Sequence, residues 1–423
     1  MVKLKENILE HKQYLFNVGA TFLSQFSTAI TLILLTPILT KALGLSSFGF
    51  YGVVLNVIAF SVILDFGLNI GLVRAFIHQL PRVKTLLNTL FVFFASLIFI
   101  LIPVFYLFYH NYNLKLNLSI VTISVFTAII VIQNIFAVYF DALIQSENKI
   151  YISKAIKAVK LLTELLLIIL YLKDITVLRI LIISIIVNSF YLIALFVYLK
   201  NKISYKINLF DFDFIVLIDH FKYSIWYFVS SIATVLVFNT QIIILNYYSG
   251  AEIAAKYLVV VRFFDIIRIA STNFTQVLFP KIIRSEVQEN WPQIKTMFFK
   301  ILKRIGLLSI IIWIFFSTLG VKIFVYWIGF KDEQILNLYQ LYLIFTVLII
   351  LDNVSVVFLS ALKFNKPTTI VSILQGLLGV ALSIILLNLI GYIGLLAGFL
   401  LSFIFTNLLY NPFHLVKSIN NKL

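Results

Sequence analysis

Long apolar runs recur along the whole chain, and their length is the strongest constraint on its fold. A helix needs about 20 apolar residues to cross the hydrocarbon core of a bilayer. Twelve segments meet that length: 16–40, 48–72, 84–108, 117–143, 152–172, 176–199, 222–248, 253–278, 299–328, 334–361, 368–390 and 392–414. Segments 152–172 and 253–278 carry charges, but each keeps a long apolar face. The composition agrees: 12% of the 423 residues are charged and 62% are hydrophobic, whereas soluble domains carry about 25% charged residues. That balance excludes both a soluble globular protein and an intrinsically disordered one.

The charge distribution sets an orientation. There are 33 Lys and Arg against 17 Asp and Glu, a formal net charge of +16. In a soluble protein that excess points to nucleic acid; here it follows the positive-inside rule, and no nucleic-acid partner is expected. With the N-terminus inside, 22 of the 33 basic residues fall on the cytoplasmic side and 6 on the other. Both termini are therefore expected in the cytoplasm. The opening MVKLKENILEHKQYLF mixes charges before a full-length span, so no separate cleavable signal peptide is expected. Cysteine is absent, which excludes disulfides, thiol catalysis and Cys-based metal sites. External loops are short. The longest polar segments, 200–221 and 280–298, are cytoplasmic, and the first lies at the chain midpoint.

That midpoint suggests a duplication. Gly44-Leu-Ser-Ser-Phe-Gly49-Phe-Tyr51 separates spans one and two, and Gly250-Ala-Glu-Ile-Ala-Ala255-Lys-Tyr257 separates spans seven and eight, at an offset of 206. A second pair, Ala142 to Lys149 and Ala361 to Lys366, lies between spans four and five and between spans ten and eleven. An even number of spans per half gives both halves the same topology, related by a pseudo-two-fold along the membrane normal. The expected fold is thus all-α: a polytopic membrane protein of twelve transmembrane helices in two six-helix lobes, residues 1–210 and 211–423. A substrate site would lie between the lobes near midplane.

Ionisable groups inside spans cost about 2.5–3.5 kcal/mol at midplane, so each needs a reason. Span two carries Asp65, then Gly67, Asn69, Gly71 and Arg74; span five Lys157, Lys160 and Glu164; span eight Arg262, Asp265 and Arg268; span ten Asp352 and Asn353. Three-residue spacing puts Arg262, Asp265 and Arg268 on one broad helix face of net charge +1. Glu164 follows Lys160 by one turn. Arg262, Arg268, Lys157, Lys160 and Arg74 are the candidate substrate contacts, because a guanidinium fork matches phosphate oxygens. Asp65, Glu164, Asp265 and Asp352 are the candidates for proton or cation coupling. The simpler readings are local ion pairing, snorkelling lysines, and carboxylates that hydrogen-bond to nearby Asn, Ser or backbone. Pro37 and Pro103 are expected to kink spans one and three. The five histidines fall near span ends or in loops, no acyltransferase or His-Glu-x-x-His pattern occurs, and there is no P-loop. No enzyme chemistry, cofactor or metal is expected.

Leu39 to Tyr51, the run from Asp65 to Arg74, Gly250 to Tyr257 with Arg262, and Leu278-Phe-Pro280 together resemble the Wzx-type polysaccharide repeat-unit (O-antigen) flippases. These belong to the multidrug/oligosaccharidyl-lipid/polysaccharide exporter superfamily. The resemblance covers nearly the whole chain in span number and repeat order. It implies two six-helix lobes around a V-shaped cavity in the bacterial inner membrane. It further implies alternating access for an undecaprenyl-pyrophosphate-linked oligosaccharide among membrane lipids and other glycan assembly proteins. Span one lacks the acidic residue of a drug exporter and the arginine of a peptidoglycan-precursor flippase. Two other readings stay open: a cation-coupled small-molecule exporter of the same superfamily, and a membrane glycan polymerase or acyltransferase.

Overall fold

The computed structural model describes residues 2–77, 82–111, 119–147, 149–202, 211–276 and 278–422. It is 91% helix, with no strand among the described residues. The N-terminal helices are α1 (Val2–Ala59), α2 (Ser61–Leu64), α3 (Leu68–Ile77), α4 (Val83–Ser96), α5 (Ile98–Asn111), α6 (Ile120–Ser146), α7 (Ile150–Leu170) and α8 (Val177–Lys202). They are followed by α9 (Phe214–Phe238), α10 (Thr240–Ser249), α11 (Ala251–Gln276), α12 (Phe279–Val287), α13 (Trp291–Phe315) and α14 (Val321–Ile328). The chain ends in α15 (Glu333–Ala361), α16 (Asn365–Ile390), α17 (Ile393–Phe403) and α18 (Leu409–Asn420).

Nine helical stretches among the described residues are long and apolar enough to cross a membrane, which makes this a polytopic membrane protein. The first, Gly19–Leu64, is 46 residues long and takes in the first expected span and most of the second. Expected spans 152–172 and 253–278 correspond to α7 and α11, continuous helices of 21 and 26 residues that are not among the nine.

Breaks in the helices follow local chemistry. α1 leaves helical geometry at Gly44, with φ 75° and ψ 161°. Gly250, between α10 and α11, has φ 87° and ψ 166°. Both positions need a residue without a Cβ, and both copies of the motif turn in the same way. Pro37 and Pro103 lie inside α1 and α5. The expected span 48–72 is not one helix. The chain takes positive φ at Phe66 (52°) and Gly67 (68°) before α3 begins. Asp65 Oδ1 accepts a hydrogen bond from the Gly67 amide at 2.6 Å. The carboxylate thus takes up an N–H that the interrupted helix no longer satisfies.

The chain divides into two compact units, Met1–Leu35 with Val54–Ser231 and Thr36–Val53 with Ile232–Leu423. In the first, α6 packs on α3, α5 and α8. Gln133 Nε2 donates to Ser189 Oγ at 2.9 Å and to the Ile185 carbonyl at 3.1 Å, and the Tyr139 hydroxyl donates to the Leu87 carbonyl at 3.2 Å. Such polar contacts are the interhelical glue of a medium that offers no water. Residues 214–231 of α9 lie against α3, where a Cβ on Gly67 would come within 2.7 Å of the Phe228 amide nitrogen. His220 Nε2 is 3.0 Å from the Leu68 carbonyl, and burial pushes this imidazole's pKa down.

In the second unit α15 packs on α11 and α13, and α16 pairs with α17. The two glycine motifs meet here: a Cβ on Gly49 would overlap the Ala251 carbonyl and lie 3.2 Å from the Ala255 nitrogen. Lys256, in the second motif, is almost fully buried. Its ammonium lies 2.5 Å from Asp332 Oδ2 and 3.1 Å from Glu252 Oε1, and donates to Gln334 Oε1 at 2.7 Å. It ties the start of α11 to the start of α15. Lys256→Met should therefore lower stability by about 1–3 kcal/mol, the lower end reflecting the partly exposed carboxylates. The check is the unfolding temperature of the detergent-solubilised chain, which Lys256→Arg should largely retain.

Candidate functional site

Charges held within apolar helices are where a membrane protein keeps its chemistry. Each unit has one stripe of them.

In the first unit, α7 presents Lys154, Lys157 and Lys160 at three-residue spacing, so they climb one side of the helix. Lys154 Nζ is 3.9 Å from Asp141 Oδ2 on α6. Lys160 Nζ is 3.8 Å from Glu164 Oε2. Glu164 Oε1 in turn accepts a hydrogen bond from Ser184 Oγ of α8 at 2.5 Å. Lys157, between the two pairs, is exposed and forms no ion pair among the described residues. Its charged neighbours are Lys154, Asp141 and Lys160. The stripe is therefore a paired cation, an open cation and a paired cation.

In the second unit, the buried Asp265 accepts from two sides: Arg268 Nη2 donates to Oδ1 at 2.7 Å and Arg262 Nη1 to Oδ2 at 3.5 Å. The Arg268 guanidinium also sits over the Phe238 ring, 4.8 Å from its centroid, a cation–π contact. Tyr257 and Tyr342 lie within electrostatic reach of Arg268, and the Tyr257 hydroxyl donates to Gln241 Oε1. One carboxylate offsets one of the two guanidinium charges, leaving the cluster at +1.

The structure brings Lys157, Lys160 and Glu164 together, and likewise Arg262, Asp265 and Arg268. Asp65 and Asp352 join neither stripe. Asp65 holds the break before α3 with Gly67 and Asn69. Asp352 on α15 is buried and accepts from Asn411 Nδ2 of α18 at 2.9 Å, while its neighbour Asn353 donates to Thr275 Oγ1 at 2.9 Å. The side chain of Arg74 lies outside the described residues. Among the described residues no group of three His, Asp or Glu side chains could hold a metal ion.

Sequence reasoning passed over Asp141, Lys154, Ser184, Asn411 and Phe238 as site residues. Lys154 is one of the basic residues that fall on the cytoplasmic side, and Asp141 stands near the end of the apolar segment 117–143. Their opposite signs across the short α6–α7 turn were the readable signal.

A family model of polysaccharide biosynthesis proteins matches residues 14–286, more than half of the chain. The chain belongs to that family. Solved structures resemble it over nearly its whole length. The MATE multidrug transporter DinF-BH is 14% identical with a TM-score of 0.68, over 96% of this chain and 95% of that one. An inward-facing multidrug resistance MATE family transporter of the MOP superfamily is 15% identical with a TM-score of 0.65, over 95% and 96%. A MOP superfamily transporter from Pyrococcus furiosus, with a binding pocket of reverse polarity, is 13% identical with a TM-score of 0.56, over 96% and 94%. At these identities the likeness is one of fold. No curated protein matches the chain. This polysaccharide biosynthesis protein thus has a MATE-like fold.

Proposed function

We propose that this protein is a flippase for lipid-linked oligosaccharide repeat units joined through an anionic pyrophosphate, as in undecaprenyl-pyrophosphate carriers. It moves them from the cytoplasmic to the outer leaflet of a bacterial inner membrane, with both chain termini cytoplasmic. Transport proceeds by alternating access of two lobes of six helices each, residues 1–210 and 211–423. The observation that carries this reading is family membership in polysaccharide biosynthesis, joined to cationic stripes on apolar helices. Arg262, Arg268, Lys157, Lys160 and Arg74 bind the pyrophosphate, and the surrounding polar side chains accept the sugars. A lipid tail can stay in the bilayer while only the head group crosses, so a mildly cationic path suffices.

A second reading is a cation-coupled exporter of small molecules. It is favoured by the buried Asp352 and by the fold shared with MATE transporters. The two separate in cells. Arg262→Ala and Arg268→Ala, at normal expression, should reduce surface glycan and leave lipid-linked intermediate on the cytoplasmic leaflet. Intact surface glycan with raised drug sensitivity in a deletion strain would favour the exporter.

A further inference from the structure

Asp141 belongs to none of the candidate substrate or coupling residues, yet it is the one carboxylate among the charged neighbours of the open Lys157. It sits on α6, opposite the first turn of α7. Its Oδ2 faces Lys154 Nζ at 3.9 Å, a loose pairing. Its Oδ1 is buried. Ser153 Oγ on α7 donates to the Ile150 carbonyl at 3.2 Å and is also a side-chain hydrogen-bond partner of Asp141. Glu164, at the far end of the stripe, is by contrast held by both Lys160 and Ser184. So of the two carboxylates flanking Lys157, Glu164 is held at short range by Lys160 and Ser184, and Asp141 is held loosely by Lys154.

A carboxylate beside an exposed ammonium has a defined electrostatic effect. It lowers the positive potential at Lys157 and weakens any anion held there. A carrier benefits from this. A site that crosses a membrane must hold its ligand firmly enough to load and weakly enough to release it, as in conduction pathways. Lys157 flanked by two further lysines with no opposing charge would hold a pyrophosphate too long.

We infer that Asp141 is a positioning residue that limits anion affinity at Lys157: it acts as a built-in counter-ion, tethered to Lys154, that speeds release of the substrate's phosphate group. This rests on the flippase reading, in which Lys157 takes part of the pyrophosphate. It goes beyond that reading by assigning a role to a residue that does not touch substrate.

The test uses the full chain in detergent or nanodiscs with inorganic pyrophosphate as the probe, and the same variants in proteoliposomes carrying a lipid-linked pyrophosphate. D141N keeps the shape and removes the charge. It should bind pyrophosphate about tenfold more tightly, the size of one nearby charge seen through a wet, high-dielectric site. In transport, its half-saturation concentration and its maximum rate should fall together, a split that a merely structural residue would not produce. K157Q should weaken binding about tenfold by the same argument. Where D141N alone strands Lys154 and does not fold, D141N/K154Q replaces the pair with two neutral amides and is compared with K154Q; the double variant should bind more tightly. If K157Q weakens binding but D141N does not tighten it in either background, the role of Asp141 is overturned and the flippase reading stands. If wild type and K157Q bind pyrophosphate equally, Lys157 is no part of the site and the role of Asp141 is overturned, while the flippase reading is decided by translocation; if wild type binds no pyrophosphate and translocates no lipid-linked pyrophosphate, both fall.

Discussion

Valine at position 49 should leave little folded protein in the membrane. A Cβ on Gly49 would overlap the Ala251 carbonyl, 2.8 Å from its carbon and 3.2 Å from the Ala255 nitrogen. All of these neighbours are backbone, so no side chain can swing aside. The second copy of the motif would have to move as a unit. Overpacking at such a site costs about 3 kcal/mol or more, a large fraction of the total stability of an ordinary domain. Gly49→Ala should already lower the unfolding temperature, and Gly49→Val should abolish the monodisperse peak on size exclusion. Gly306 gives the control. It lies inside α13, and a Cβ added there would meet nothing within 4 Å. Gly306→Ala should be neutral or gain about 0.5–1 kcal/mol from helix propensity. Equal tolerance at both glycines would show that the two motifs do not meet as described.

Asp265→Ala should be the most damaging single change in the second unit's charge cluster. The carboxylate is buried and is the hydrogen-bonding partner of both Arg262 and Arg268. Its removal strands two partly exposed guanidinium groups on an apolar helix, at a cost of about 2–3 kcal/mol, below that of a fully buried pair. Arg268→Gln leaves Asp265 with Arg262 and so costs less, although it also gives up the contact with Phe238, about 1 kcal/mol. The expected order of unfolding temperatures is wild type, then Arg268→Gln, then Asp265→Ala. Adding Arg268→Gln to Asp265→Ala should recover part of the loss. If Asp265→Ala is the milder of the two, Asp265 is not what holds the arginines, and the cluster is an open cationic site instead.

The helical, membrane-spanning character of the chain was legible because it is repeated. Each run of about 20 apolar residues says the same thing independently, and the glycine motif repeats its turn at Gly44 and Gly250 with nearly the same backbone angles. Hydropathy and charge counts miss what depends on local geometry and contacts. The helix break at Phe66 and Gly67 is invisible to hydropathy, because an interrupted span is as apolar as a continuous one; only Asp65, able to cap the break, marks it. Lys256 is buried between Asp332 and Glu252, and a count of basic residues by loop says nothing of what each one touches. The candidate site was legible where partners lie on one helix, as in Lys160 with Glu164 and Asp265 with its arginines. Asp141 and Phe238 act across helices, and the spacing of residues along one helix carries no signal for that.

As a flippase, the proposed role of this member of the polysaccharide biosynthesis family, the protein would move a lipid-linked pyrophosphate glycan across the bilayer. The most direct measurement is its translocation in proteoliposomes containing only the purified chain and a fluorescent polyprenyl-pyrophosphate oligosaccharide, read by quenching of the outer leaflet. Translocation well above protein-free vesicles, lowered by Lys157→Gln and by Arg262→Ala, is the result expected. A rate equal to protein-free vesicles under every imposed ion gradient, from protein that is folded and correctly inserted, would contradict it.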